Sequence, residues 1–208
     1  MSFTLVEHPL VAHLLTQLRD RNTVPRDFRL AAKRLTYPLV LEATRSLPLR
    51  EHPIETPLES TTGRSIGAEI VAIPVLRAGL GLLEAVTDIY PDVSVGYAGL
   101  ARDETTAIPQ RYYLKLPPLN DRFVLVLEPM LATGGSLSAT MAQVKLAGAR
   151  DIAAICVVAA PQGLARMESE HPDVPVFAAA LDRELDANYY IRPGLGDMGD
   201  RLFGTVPA

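Results

Sequence analysis

Three short runs of apolar residues limit the architectures open to this chain. They occupy residues 70–76 (IVAIPVL), 123–127 (FVLVL) and 152–160 (IAAICVVAA). Each has the length of a strand, and none alternates as a strand with one face in water would. Each is followed by a stretch of helical character, at about 80–89, 136–147 and 161–171. Further strands are expected at 93–100 and 174–180. Val11, Leu14, Leu15 and Leu18 recur at helical spacing, as do Phe28, Ala31, Ala32, Leu35 and Leu39, which predicts amphipathic helices at about 9–22 and 25–46. Apolar strands alternating with helices imply an α/β fold: an open, mainly parallel sheet flanked by helices on both faces. Such sheets bind ligands beyond the carboxyl ends of their strands, so the segments after Leu76 and Leu127 are the first candidates for chemistry.

Three segments stand outside this alternation. Residues 49–59 contain β-compatible residues interrupted by Pro53 and Pro57, and are expected to form an edge strand or extended arm. Residues 102–118 are polar, carry Tyr112 and Tyr113, and are too long for an ordinary connection, which suggests a hairpin arm or lid. Beyond Ala180 there is no regular pattern, and Pro193, Gly194, Gly196, Gly199 and Gly204 mark a loop-rich tail. No repeat or composition shift divides the 208 residues, so one domain spanning 1–208 is expected.

Composition excludes several classes. Twenty basic and twenty-four acidic side chains, with no run of like charge, argue against a nucleic-acid surface. The longest apolar run has nine residues, against roughly 20 needed to span a bilayer, and the N-terminus lacks a basic region before an apolar one, so no membrane or secretory role is expected. Cys156 is the single cysteine and lies within an apolar run, which excludes an intrachain disulfide and fits a cytoplasmic protein with an inert core thiol. His8, His13, His52 and His171 show no metal-ligand spacing.

The sharpest local feature follows the second apolar run: Glu128, Pro129, Met130 and Leu131, then Ala132, Thr133, Gly134, Gly135 and Ser136. Hydroxyls and two glycines just before a helix N-terminus present backbone N–H donors suited to a phosphate monoester, and the helix dipole adds to the attraction. An ordinary strand-to-helix turn capped by Thr or Ser has the same composition, but the acid at the strand end adds a group able to hold sugar hydroxyls. The loop lacks the Gly-Lys-[Ser/Thr] ending of a nucleotide-triphosphate loop. Gly194-x-Gly196-x-x-Gly199 matches a dinucleotide fingerprint literally, but only nine residues follow it, too few for the required helix and second strand.

Residues 128–136 resemble the phosphoribosyl pyrophosphate (PRPP) signature of type I phosphoribosyltransferases, in the form found in their uracil-specific branch. Three further stretches are similar to that branch in order and spacing. Residues 73–79 (IPVLRAG) resemble its pyrophosphate-side loop, residues 99–104 with Tyr112, Tyr113 and 115–117 resemble its flexible arm, and residues 190–197 (YIRPGLGD) resemble its uracil-binding tail. The resemblance implies a type I phosphoribosyltransferase-like fold with a flexible hairpin arm at about 99–118 and a C-terminal hood at about 181–208. It implies transfer of phosphoribose from PRPP to uracil, giving UMP and pyrophosphate by inversion at C1′. Arg77, Arg102 and Asp197 are the implied catalytic residues. PRPP would meet Arg77, Arg102, Asp197 and the loop Glu128, Pro129, Met130, Leu131, Ala132, Thr133, Gly134, Gly135 and Ser136. Uracil would meet Ile191, Gly196, Asp197 and Met198, mainly through backbone. Mg²⁺ would arrive on PRPP rather than on a dedicated protein site. A homodimer or larger homo-oligomer is implied, with GTP an allosteric activator in some members; no residue here decides that activation.

The chain departs from the branch at three positions, with Glu128 for Asp, Met198 for Ala and Ala101 for Tyr. The first moves the carboxylate by a methylene relative to the ribose, and the second bears on the base pocket. Considered alone, a lone arginine is more often solvated than catalytic, and Asp197 is equally an ordinary turn residue. Tyr112 and Tyr113 serve as readily for hairpin packing as for ligand contact. Other readings are a phosphoribosyltransferase for a different base, a UMP-sensing RNA-binding regulator on the same fold, and a nucleotide-binding protein without activity.

Overall fold

The computed structural model describes residues 2–102 and 109–205. The elements run β1 (Phe3–Leu5), α1 (Pro9–Arg19), α2 (Pro25–Ala43), β2 (Leu49–Glu55), β3 (Ser60–Ile66), β4 (Ile70–Leu76), α3 (Leu80–Ile89), β5 (Ser94–Val95), β6 (Tyr97–Arg102) and β7 (Pro109–Lys115). They continue with β8 (Phe123–Leu127), β9 (Met130–Leu131), α4 (Gly135–Leu146), β10 (Asp151–Ala159), α5 (Pro161–Glu170), β11 (Val176–Leu181), β12 (Glu184–Leu185), β13 (Ile191–Arg192) and α6 (Met198–Phe203).

The main sheet has the order β1-β11-β10-β8-β4-β6-β7, with β5 beside β4 and β9 beside β10. The three apolar runs are adjacent parallel strands at its centre: β8 pairs with β4 on one side and with β10 on the other. Among the described residues, only the hairpin β6–β7 is antiparallel within this sheet. Side chains alternate between two core layers. Ile70, Ala72, Leu125, Leu127, Ile155 and Val157 join the helices α1, α2 and α3. Val71, Ile73, Val124, Val126, Ala154 and Cys156 join Leu137 and Met141 of α4 and Met167 of α5. Strands covered on both faces are apolar at every position, which is why their sequences do not alternate.

From β8 the chain builds outward through β10 to β11, whereas β4 leads the other way to β6, so the strand order reverses between β4 and β8. Pro74 pairs with Leu127 across that boundary, and Leu76 with Gly99 beyond it. The carboxyl ends of β4, β6 and β8 therefore meet at one edge, where an open α/β sheet parts to admit a ligand.

One sequence expectation is corrected, that of a tail without regular structure, and two segments gain partners the sequence does not show. The edge strand expected within residues 49–59 is present as β2 and pairs with β3 in an antiparallel hairpin in which Pro53 faces Thr62. Its turn is closed by Thr56, whose hydroxyl oxygen accepts from the Leu58 and Glu59 amides. The second strand, STTGRSI, is polar and nearly all exposed, so no burial pattern announces it. The tail also contains regular structure: β12 and β13 pair, and α6 runs from an Asp197 N-cap to a left-handed Gly204. The short strand β1 pairs with β11 at the sheet edge, although no periodicity marks it. Of the arm expected at 99–118, strands β6 and β7 are paired as a hairpin, while residues 103–108 lie outside the described residues.

No described helix is long and apolar enough to cross a membrane.

Candidate active site

The loop after β8 forms one wall of the site. Glu128 extends the strand by one residue, its amide donating to Ile155 O, and it is 8% exposed. It follows the parity of Val124 and Val126 and lies close enough to Cys156 for its charge to help hold that buried thiol protonated. Burial pushes the Glu128 carboxyl up to about 8, although the Met130 amide hydrogen-bonds to it and partly offsets the shift. Beyond it the chain rejoins the sheet as β9, next to β10, and then turns into α4 through Gly134 at φ +77°. The N-cap position itself is Gly134, which has no side chain to cap the helix. Thr133 Oγ1 accepts from the Gly135 amide at 3.4 Å. The first-turn amides of α4 have no acceptor within the helix, and the loop 132–136 sits directly at that end.

Helix α5 supports this loop from behind. A Cβ on Gly163 would lie 2.7 Å from Ala132 O and 2.8 Å from Leu131 O, closer than side-chain carbons approach backbone oxygen. Gly134 rests on the same contact, its Cβ direction meeting Gly163 O at 3.0 Å. Helix α4 is tied to the end of α5 by Ser138, whose hydroxyl hydrogen-bonds to Glu170 and meets His171 Nε2 at 3.1 Å. His171 is therefore a buried, bonded histidine, and burial, with the nearby Lys145 ammonium, holds its ring below the ordinary value.

The opposite wall is the turn after β4. Leu76–Arg77 is a cis peptide, and Arg77 reaches out from the sheet edge to Asp200 of α6, with Nη2 3.0 Å from Oδ1. Nη1 also donates to Thr205 Oγ1 at 3.4 Å. The Asp200 carboxyl is held low by the Thr205 hydroxyl first and by Arg77 second. Asp197 caps α6, accepting the Asp200 amide at 2.9 Å, and is exposed. A Cβ on Gly199 would lie 3.2 Å from Asp197 Oδ1 and 3.7 Å from Arg77 Nη2, so arginine and aspartate face the same small space. Two expected site residues, Arg77 and Asp197, are thus brought together from chain positions far apart.

Ile191 and Met198 are 5% and 1% exposed and belong to the core beside Leu195 and Leu202. The methionine side chain enters the core instead of the open side of the tail, which leaves that side to backbone, including Gly196 at φ +81°. Arg102 ends β6, its backbone paired with Pro109; its side chain is outside the description. Tyr112 and Tyr113 stand exposed on the hairpin, whose Gly99 they cover.

Asp200 is the partner that sequence reasoning missed. The signal was present, since an Asp cap followed by a second acid three residues later, D-M-G-D, marks a helix start. It was masked by the surrounding glycines. Among the described residues, no three His, Cys, Asp or Glu side chains are grouped to hold a metal ion.

The sequence model of a family described as uracil phosphoribosyltransferase matches residues 5–205. Proteins named uracil phosphoribosyltransferase from Alkaliphilus oremlandii and Salinibacter ruber are 45% and 47% identical, each over 97% of this chain and 98% and 97% of their own lengths. The structure of the AQ2163 protein from Aquifex aeolicus superposes with a TM-score of 0.94 at 34% identity, covering 99% of this chain and all of that one. A hypoxanthine-guanine phosphoribosyltransferase from Bacillus anthracis, at 14% identity and a TM-score of 0.50, covers 88% of this chain and 83% of its own and shares the fold.

Two variants test the loop after β8. Alanine at position 163 would favour an isolated helix by about 1 kcal/mol, but here its methyl meets two carbonyls, and overpacking costs about 1–3 kcal/mol. Gly163→Ala is expected to lower the melting temperature and weaken PRPP binding on the order of tenfold by calorimetry, whereas a more stable variant with unchanged affinity would remove the contact from the site. Glu128 gives a pH signature. Between the ordinary value of 4.5 and about 8 the folded protein holds a proton that the unfolded chain releases, so stability falls as pH rises through that window and levels off above it. Glu128→Gln should lack this slope in urea unfolding across the window, a difference on the order of a few kcal/mol.

Proposed function

The chain belongs to the uracil phosphoribosyltransferase family, and from that premise we propose that it transfers the 5-phosphoribosyl group of PRPP to uracil, giving UMP and pyrophosphate in pyrimidine salvage. The observation that carries the reading is the meeting, at the sheet's reversal point, of a helix N-terminal loop, an arginine turn and an aspartate-capped tail. Those are the parts needed to hold a phosphate monoester, a pyrophosphate and a neutral base around one sugar carbon. The whole chain acts as one domain in this reading, with the hairpin arm and the tail as its attachments.

The 5′-phosphate binds at residues 132–136 against the α4 N-terminus, where backbone donors and the helix dipole favour an anion. Glu128 and the adjoining Pro129, Met130 and Leu131 lie on the ribose side. Arg77 turns from Asp200 toward the pyrophosphate, and Arg102 approaches from the arm. Negative charge grows on pyrophosphate oxygen as its bond to C1′ breaks, so a fixed cation there stabilises the transition state more than the ground state. The electrons of the C1′–O bond leave on pyrophosphate, uracil N1 bonds to C1′ from the opposite face, and the N1 proton passes to solvent. No side chain is assigned as the base for that proton. Backbone groups of residues 191–198 hold the uracil edge.

Asp197 is an exposed hard-oxygen donor beside Arg77, and a lone carboxylate suits Mg²⁺ that keeps water and substrate phosphate as its other ligands. Mg²⁺ on PRPP supplies charge neutralisation at the pyrophosphate. A buried, unpaired Cys156 is consistent with a cytoplasmic enzyme.

The hairpin β2–β3 supports a homo-oligomer. A lone two-stranded hairpin is marginal in water, yet this one exposes Leu49, Ile54, Leu58 and Ile66, and no other described helix or strand packs extensively on it. A second copy of the chain is the surface we assign to it.

Product formation from PRPP and Mg²⁺ with uracil, cytosine, hypoxanthine, adenine or orotate tests the function. UMP from uracil alone is expected; product from another base, or none, overturns it. Arg77→Ala should lower kcat/KM for PRPP by about 10²–10³, the usual loss when a preorganised transition-state donor is removed. Its melting temperature should change little, because the Arg77–Asp200 pair is half exposed on the arginine side.

A further inference from the structure

The tail that would carry the base is fixed in place by charged groups outside the motifs. Asp182 directly follows β11, and its amide donates to Ala159 O, the last residue of β10, at 2.8 Å. Its side chain is 4% exposed. Arg19, the last residue of α1, meets that carboxylate with both terminal guanidinium nitrogens, Nη1 to Oδ2 at 2.9 Å and Nη2 to Oδ1 at 2.5 Å. The pair then takes up both polar groups of a single residue in the tail. Asp182 Oδ2 accepts the Gly194 amide at 2.9 Å, and Arg19 Nη1 donates to Gly194 O at 2.8 Å.

Gly194 lies just before the segment 195–198. The next residue is held from the same side: Arg201 Nη1 donates to Leu195 O at 2.8 Å and to Leu18 O, and Nη2 donates to Asp20 O at 2.6 Å. The Arg201 guanidinium also stacks over the Phe28 ring, 4.2 Å from its centroid. The tail is thereby registered against the carboxyl edge of the sheet through Asp182 and against the end of α1 through Arg19 and Arg201. The loop after β8 is tied to β10 and the start of α5, with the Glu128 amide donating to Ile155 O and the Ala160 amide to Leu131 O.

We propose that the Arg19–Asp182 pair is a positioning element for base recognition: it sets the height of the 194–198 backbone above the sheet edge and so controls affinity for uracil more strongly than for PRPP, which meets this segment at Asp197 alone. The inference rests on the assignment of uracil to residues 191–198. A bidentate ion pair on one peptide suits this purpose, because backbone that reads a base edge must hold its donors and acceptors within a fraction of an ångström.

Asp182→Asn and Arg19→Lys test the pair. The amide places N–H groups where the carboxylate accepted, and lysine keeps the charge but loses the fork. Asp182→Asn is expected to raise KM for uracil about tenfold or more, the size of one or two charge-assisted hydrogen bonds, with a clearly smaller rise in KM for PRPP through Asp197. Arg19→Lys should move KM for uracil in the same direction by less, and it decides the matter if the asparagine variant does not fold. Leu14→Ala, which opens the α1 core without touching the pair, serves as the control; it should lower the melting temperature without a selective rise in KM for uracil. If both latch variants behave like Leu14→Ala, the proposal is overturned while the uracil assignment stands. Wild-type protein that makes no UMP overturns the assignment and the proposal together.

Discussion

The parallel pairing of β4 with β8 is the constraint from which the site follows. Because Pro74 and Leu127 are partners, β4 ends only two residues beyond the end of β8, and the turns that leave them begin side by side. The chain then departs in opposite directions, toward β6 from one strand and toward β10 from the other, so nothing in the sheet closes the gap between those turns. A cleft at such a boundary is a consequence of topology rather than of any one residue. The apolar sequences of these central strands serve this arrangement indirectly, since they allow helices to cover both faces and confine polar groups to the edge.

Each wall of the cleft is stiffened by a different means. The phosphate side relies on close approach of backbone to backbone, with α5 set against Leu131 and Ala132 at a glycine. The tail relies on charge, with arginines from α1 and α6 bound to carbonyls and to a buried carboxylate. Between them, Arg77 bridges from the sheet to α6 through Asp200 and Thr205. Held by Asp200 at the edge of the cleft, Arg77 exchanges one anionic partner for another when it turns toward a phosphate.

The sequence was informative wherever a local pattern had a local cause. The runs 70–76, 123–127 and 152–160 are strands because residues buried on both faces must all be apolar, and the loop at 128–136 was visible as a strand, an acid and a glycine turn. It was silent where stability comes from distant partners. Strand β3 is polar and exposed, so only its pairing with β2 makes it a strand. Arg19 and Asp182 lie 163 residues apart, and neither belongs to a motif. Helix α6 was hidden by glycines that read as loop, although Asp197 and Gly204 are a regular start and stop. The location of the Met198 side chain was equally unreadable, since nothing in the tail's composition separates a residue facing the core from one facing a ligand.

Cys156 gives this architecture an internal clock. It sits on the central strand β10, fully covered, with its thiol pushed up by burial and by the nearby Glu128. A thiol-specific reagent needs a thiolate exposed to solvent, so it cannot act while β8 and β10 remain packed under α4 and α5. The rate of labelling at this single sulfur therefore measures how often the sheet opens beneath the phosphate loop, with no engineered probe and no second cysteine to confuse the signal.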